Sequence, residues 1–318
     1  MHPILFEIPV FHFPIHSYGI ALALSFIAGI ILSSFRAKNR ALDSEVVSDV
    51  GLYIIVAAIL GARIYYVFLH FDEFKGNPLS IINPFQQSGV GIGGLVMYGG
   101  FIGAIAAGLL YFRLKRRPFL PYADAIAPSL GFGIFLTRIG CYLNGCCYGG
   151  PTTSPIGVVF PRGCAAGNYQ LHLTAEKAAL LGEHIDTVPL FPSQLFLSAG
   201  GLLIGVIVLL AGHKRLFHGF EFYLTGALYS VHRFAVDFTR HYDSATEKLG
   251  PLSHNQIVCI VLFIIFLGLM LQGAMFNSDA APHNAGNGVK HDDEDMSGRS
   301  ATSSPASDPA TEPLPDNR

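Results

Sequence analysis

Charge is what this chain has least of. Of its 318 residues, 13% are Asp, Glu, Lys or Arg, about half the ~25% of an ordinary soluble domain. The 20 basic and 22 acidic residues nearly cancel, so no nucleic-acid partner is suggested. No Lys or Arg precedes Arg36. A cleaved signal peptide opens with a positive stretch, so none is expected here. No internal repeat points to a transporter built from two halves. No alternating strand–helix pattern surrounds the glycines, which argues against a soluble nucleotide-binding fold. Apolar residues fill the space that charge leaves: 51% of the chain is hydrophobic and mean hydropathy is +0.45. The composition is that of an all-α integral membrane protein.

A membrane-spanning helix needs roughly 20 mostly apolar residues. About seven transmembrane helices are expected, near 18–35, 47–69, 90–112, 122–142, 193–211, 219–238 and 255–276. The second and sixth each carry an arginine, Arg63 and Arg233, within their apolar run. The connecting loops alternate in charge. Arg36, Lys38 and Arg40 lie in one, Arg113, Lys115, Arg116 and Arg117 in another, and Lys214 and Arg215 in a third. Cytoplasmic loops carry the excess of Lys and Arg, so the N-terminus is expected outside and the C-terminus in the cytoplasm. Residues 1–276 would form the membrane domain. The polar stretch 277–318, rich in Ser, Pro, Asp and Asn, reads as a disordered tail.

Ionisable residues inside spans are costly and mark function by default. With this orientation Arg63, Arg138, Arg233 and Arg240 all fall towards the outer leaflet, beside one carboxylate, Asp237. Tyr229, Arg233 and Asp237 are spaced i, i+4, i+8 and share a helix face. Tyr18 and Tyr98 fall in the same outer layer. The guanidinium fork suits phosphate and stays charged, so the set reads as a site for a phospholipid headgroup. Snorkelling of the same arginines to the interface is the competing explanation. Gly99 and Gly100 beside Tyr98 suit either a ligand cavity or close helix packing, whereas Gly103 and Gly108 suit packing.

The oddest stretch is Arg138-Ile-Gly-Cys-Tyr-Leu-Asn-Gly-Cys-Cys-Tyr-Gly-Gly150, which holds Cys141, Cys146 and Cys147 of the five cysteines. A disulfide from Cys164 to one of them, a metal site, a catalytic thiol and simple packing all remain open. Zinc sites usually show two separated Cys or His pairs, which this spacing fits poorly.

Several segments together resemble the prolipoprotein diacylglyceryl transferase family. They are His2-Pro3 with Ser17-Tyr-Gly-Ile20, Leu60-Gly-Ala-Arg-Ile-Tyr-Tyr66, Met97-Tyr-Gly-Gly-Phe-Ile-Gly103, Arg138-Ile-Gly140 through Asn144 and Gly149, Phe191-Pro-Ser-Gln-Leu-Phe196, Tyr229 through Arg240, and Leu252-Ser-His-Asn-Gln-Ile257. The resemblance implies transfer of a diacylglyceryl group from phosphatidylglycerol to the lipobox cysteine in a prolipoprotein signal peptide. The product would be a thioether, formed at a bacterial inner membrane without a cofactor or metal. It implies catalytic roles for Arg138, Arg233, Tyr98 and Asp237. Substrate contacts would fall to Tyr18, Arg63, Gly99, Gly100, Asn144, Gly149, Tyr229 and Arg240. The chain departs from the family pattern where Tyr98 replaces His, Cys141 replaces Asn, Cys146 replaces Glu and Thr137 replaces Gly. Phe191, Phe196 and Leu197 replace a His, a Tyr and a Glu, and Asp237 replaces a Glu. Tyrosine, with an ordinary pKa of about 10, is a poor base; Asp237 and His241 are alternatives by position. The departures leave a second reading, a non-catalytic membrane protein that binds anionic phospholipid or a lipoprotein precursor.

Overall fold

The computed structural model describes residues 4–8, 13–75, 81, 94–181, 186–214, 216–240 and 248–279. His2, Pro3, the glycines at 89, 91 and 93, Arg215, His241 and the tail from 280 onward lie outside them. Two short strands, β1 (Ile4–Ile8) and β2 (Phe13–His16), pair antiparallel and lead into the first helix. The helices are α1 (Ser17–Asn39), α2 (Ser44–Leu69), the single turn α3 (Phe71–Phe74), α4 (Met97–Leu114), α5 (Phe119–Asn144), α6 (Ala165–Leu181), α7 (Ser193–Ala211), α8 (Phe220–Asp237) and α9 (His254–Asp279). A two-residue hairpin, β3 (Lys248–Leu249) with β4 (Leu252–Ser253), precedes α9.

Six of these helices, α1, α2, α4, α5, α7 and α9, are long and apolar enough to cross a membrane. α8 occupies the expected sixth segment but carries Glu221, Arg233 and Asp237 and falls short of that measure. The expected third segment, 90–112, begins later than its composition suggests. Gly94 takes a left-handed φ of 68°, and Val96, still extended, caps the helix that starts at Met97. α9 runs three residues into the expected tail.

The bundle is inside-out compared with a soluble protein. Ile31, Phe35, Leu60, Ile64, Phe68 and Leu203 point outward, while Ser25, Ser33, Ser129, Ser198 and Thr225 are buried. Apolar side chains gain nothing by leaving lipid, so small and polar residues mediate the helix contacts. The Ser33 and Ser129 hydroxyls bond at 2.7 Å between α1 and α5, and the Ser198 hydroxyl reaches Phe135 O at 2.9 Å between α7 and α5. α2 and α4 pack backbone against backbone. A Cβ on Gly99 would overlap the carbonyl of Gly61, and one on Gly103 would overlap that of Ala57. Gly100 lies against Ala58 in the same seam. The structure thus uses Gly99 and Gly100 for packing, one of the two roles their sequence allowed.

One end of the bundle is held by buried charge. Glu221, at the start of α8, ion-pairs with both Arg36 and Arg40 at the end of α1. Arg36 also donates to the carbonyl of Ala125 at 3.1 Å. Asp124 on α5 accepts the N–H groups of Gly219 (2.6 Å) and Phe222 (3.0 Å), capping the orphan donors that open α8. Arg36, expected in a basic loop, is therefore a buried structural residue. Removing one partner of a buried ion pair costs about 3–5 kcal/mol, because the other charge stays buried and uncompensated. Glu221→Ala is expected to lower the unfolding temperature markedly in detergent. Adding Arg36→Met and Arg40→Met to it should restore most of the loss, and thermal denaturation of the purified variants checks both.

Candidate active site

The opposite end of the bundle is built around the end of α5. That helix stops at Asn144 because Gly145 adopts a left-handed φ of 69°. The Gly145 N–H bonds Tyr142 O at 3.2 Å and the Cys146 N–H bonds Cys141 O at 3.1 Å, the paired reversal that ends many helices at glycine. The reversal folds Cys146 back over Cys141. Cys147, with a φ of 59°, turns its thiol to the same place. The three sulfurs lie within 4.8 Å of one another.

Three other elements pin this loop. The Gln194 amide at the start of α7 donates to Cys146 O at 2.8 Å. The Gly149 N–H reaches Phe191 O and the Gly150 N–H reaches Thr239 O, both at 2.9 Å. Gly149 also forms a β-bridge with Arg240 beyond the end of α8. A Cβ at Gly149 would overlap the Ser193 hydroxyl and the Thr239 carbonyl, so the loop requires glycine there. Beside it, Phe160, Cys164, Ala166 and Leu190 form a small core. Within that core the fully buried Gln170 of α6 accepts from Phe160 N at 2.7 Å and donates to the carbonyls of Val158 and Val188 at 2.9 Å.

The last turns of α8 supply the second wall. Arg233 pairs with Asp237 at 2.7 Å, as the i, i+4 spacing predicted. Asp237 also accepts from the Ser253 hydroxyl. Ser253 caps α9: its Oγ accepts Gln256 N at 3.1 Å while Gln256 Oε1 accepts Ser253 N at 2.9 Å, a reciprocal capping box. Asp237 thereby fixes Arg233 and ties the end of α8 to the start of α9.

Arg138, one turn inside α5, is close to the thiols. Its Nη1 lies 3.9 Å from Cys141 Sγ, it hydrogen-bonds Cys147, and it interacts with Tyr229. Tyr18, in the first turn of α1, interacts with Arg138 and all three cysteines. Arg240 interacts with Cys147, and its Nε is buried with no hydrogen-bond partner among the described residues. Asn144 bonds the Cys146 thiol. The Cys147 thiol is held below its usual pKa by hydrogen bonds to Cys141 and Cys146, against the effect of burial, with the Arg138 and Arg240 charges adding to the lowering. A cavity of about 370 Å³ between α1, α2 and α5 runs from Val47 and Val50 past Leu22, Phe26 and Ile134 to Thr137 and Arg138.

The expected residues thus divide into two groups. Tyr18, Arg138, Asn144, Gly149, Tyr229, Arg233, Asp237 and Arg240 meet at this end of the bundle. The recorded contacts of Arg63 lie elsewhere: it donates to the carbonyls of Ile81 (3.0 Å) and Gly94 (3.1 Å), with its guanidinium over the Tyr66 and Phe74 rings. Tyr98 is 64% exposed at the start of α4. The sequence singled out Cys141, Cys146 and Cys147 but left their role open, because their irregular spacing does not show that the three sulfurs converge. Gly145 after an apolar helix was the available signal, since a glycine there predicts the chain reversal.

The model of the family described as prolipoprotein diacylglyceryl transferase matches residues 3–272. The chain belongs to the prolipoprotein diacylglyceryl transferase family. It is 31% identical over 263 residues to phosphatidylglycerol–prolipoprotein diacylglyceryl transferase 2 of Clostridium perfringens, covering 82% of this chain and 91% of that one. It is 30% identical over 280 residues to the Clostridium tetani enzyme of the same name, covering 88% and 98%. The Trichormus variabilis enzyme is 32% identical over 263 residues, covering 81% and 84%. Within this transferase family framework the residues that meet at the end of α5 become the site to test. Asp237→Asn keeps an acceptor for Ser253 but loses the ion pair, and is expected to release Arg233 and weaken phosphatidylglycerol binding to the detergent-solubilised protein. Ser253→Ala removes two hydrogen bonds, one to Asp237 and one from Gln256 N, and should cost about 1–3 kcal/mol of stability while leaving lipid binding near wild type. Lipid-binding assays in detergent alongside thermal melts separate the two.

Proposed function

We propose that this protein transfers the diacylglyceryl group of phosphatidylglycerol to the lipobox cysteine of prolipoproteins, at the outer face of a bacterial cytoplasmic membrane. The observation that carries the reading is the apolar cavity ending at Arg138, with Arg240 and Tyr229 close by. An acyl chain lies in the cavity and the headgroup phosphate meets the guanidinium groups. The acceptor thiolate attacks a glycerol carbon, the C–O bond breaks, and glycerol phosphate leaves. Negative charge grows on the departing phosphate, and donors fixed before the reaction stabilise it most effectively. Arg138 and Arg240 are the nearest fixed donors, and Asp237 holds Arg233 in line. Tyr18 and Tyr229 orient the headgroup. Asn144 and Gly149 hold the loop. Gly99, Gly100 and Arg63 shape the α2–α4 wall on which Tyr98 stands.

The orientation follows from the same layout. The basic loops and the Arg36–Glu221–Arg40 cluster lie at the end opposite the site, so with those loops in the cytoplasm the site faces outward. α8 joins the six apolar helices as a further span, which makes seven, and the N-terminus lies outside. The second reading, lipid or precursor binding without turnover, draws on Tyr98 at the position of the family histidine.

The purified protein, phosphatidylglycerol and a lipobox peptide are expected to yield a peptide heavier by one diacylglyceryl group in a mass spectrum. Arg138→Ala should abolish that product. Arg138→Lys should keep a small fraction of the rate, because lysine lacks the bidentate fork. Phospholipid binding without product, beside an active family enzyme, would establish the second reading instead.

A further inference from the structure

Among the described residues, the three converging thiols are a group of reactive side chains that this reading leaves unused. We propose that Cys141, Cys146 and Cys147 form a site for a thiophilic divalent ion of the zinc class, with a fourth position open to the acceptor cysteine's thiol. The second half of the proposal rests on the transferase reading; the first does not.

Geometry supports the ion. Zinc binds thiolate at about 2.3 Å, which places sulfurs about 3.8 Å apart in a tetrahedral site. The Cys141, Cys146 and Cys147 sulfurs, within 4.8 Å of one another, need to contract by less than about 1 Å to reach that spacing. A disulfide would use two of the thiols and strand the third, whereas an ion uses all three. The backbone supplies the rigidity a metal site needs. The glycine reversal at Gly145 and the Gln194, Phe191 and Thr239 anchors set the loop independently of the sulfurs. Charge supports it too. Three thiolates and one divalent ion sum to one negative charge, which Arg138 and Arg240 stand ready to balance.

The fourth position is open. Among the described residues no fourth Cys, His, Asp or Glu joins the group, and Asp237 is engaged with Arg233 and Ser253. Three protein ligands and a vacant place are the pattern of reactive zinc rather than structural zinc. A thiol that enters the vacancy loses its proton outright. That proton passes to water, and the sulfur stays nucleophilic beside Arg138. Its lone pair forms the bond to the glycerol carbon, and the electrons of the broken C–O bond leave on the glycerol phosphate. The thioether product is neutral, binds zinc weakly and departs. An ion here would therefore do the work of a base, at a site where tyrosine stands in the family histidine's place.

The test uses the full chain in detergent, reduced and purified without oxygen. Elemental analysis after equilibration with zinc is expected to give one ion per chain. Cadmium should produce the ultraviolet sulfur-to-metal absorption of three thiolates. The triple variant Cys141→Ser, Cys146→Ser, Cys147→Ser should lose both, while Cys164→Ser and Cys259→Ser keep them. Circular dichroism of the triple variant confirms that it folds. No stoichiometric uptake by the reduced protein, or equal uptake by the folded triple variant, overturns the site. With cobalt bound, a lipobox peptide is expected to shift the sulfur–cobalt absorption, and the same peptide with serine for cysteine is not. Bound metal with no such shift, or transfer unaffected by chelation, overturns the acceptor role. A peptide-induced shift without any transfer counts against the transferase reading alone.

Discussion

A polar group inside lipid must find its partner within the protein, and that constraint organises this bundle. Ionisable side chains in the spans gather at two ends. At one end Glu221 joins Arg36 and Arg40 while Asp124 caps α8. At the other, Asp237 joins Arg233 and the cap of α9. The first arrangement saturates its charges. The second leaves part of its capacity open, with the Arg240 Nε buried and unsatisfied. The same rule therefore yields one end closed by ion pairs and one end that, among the described residues, keeps a donor to spare.

The spans were legible in the sequence because a run of apolar residues has few other uses. Their ends were legible where a specific residue stops the helix, as Gly145 does for α5. The N-terminal hairpin and α6 were not read. The first is short and interrupted by proline, and the second lies in a polar segment that shows its apolar contacts only once Leu190 and Phe160 pack beside it. The i, i+4 pair of Arg233 and Asp237 could be read because a helix fixes it locally. The bonds from Arg36 to Glu221, or from Gln194 to the cysteine loop, join residues far apart in the chain. No local pattern announces such contacts.

Arg63 differs from the arginines at the end of α5 in the contacts it makes, among them hydrogen bonds to the carbonyls of Ile81 and Gly94. There it secures the entry to α4, beside the glycine seam. An arginine satisfied by backbone oxygens holds a wall in place. An arginine beside thiols and phenols keeps donors for a ligand. Composition does not distinguish the two, whereas the atoms each arginine touches do.

The loop that follows α5 is held by its main chain. Amide hydrogens and carbonyls, a left-handed glycine and a glycine without room for a methyl group determine its path. The side chains of Cys141, Cys146 and Cys147 project from that path and contribute little to it. The main chain is thus the fixed handle, and the three sulfurs, that of buried Cys141 included, are the tools it holds together.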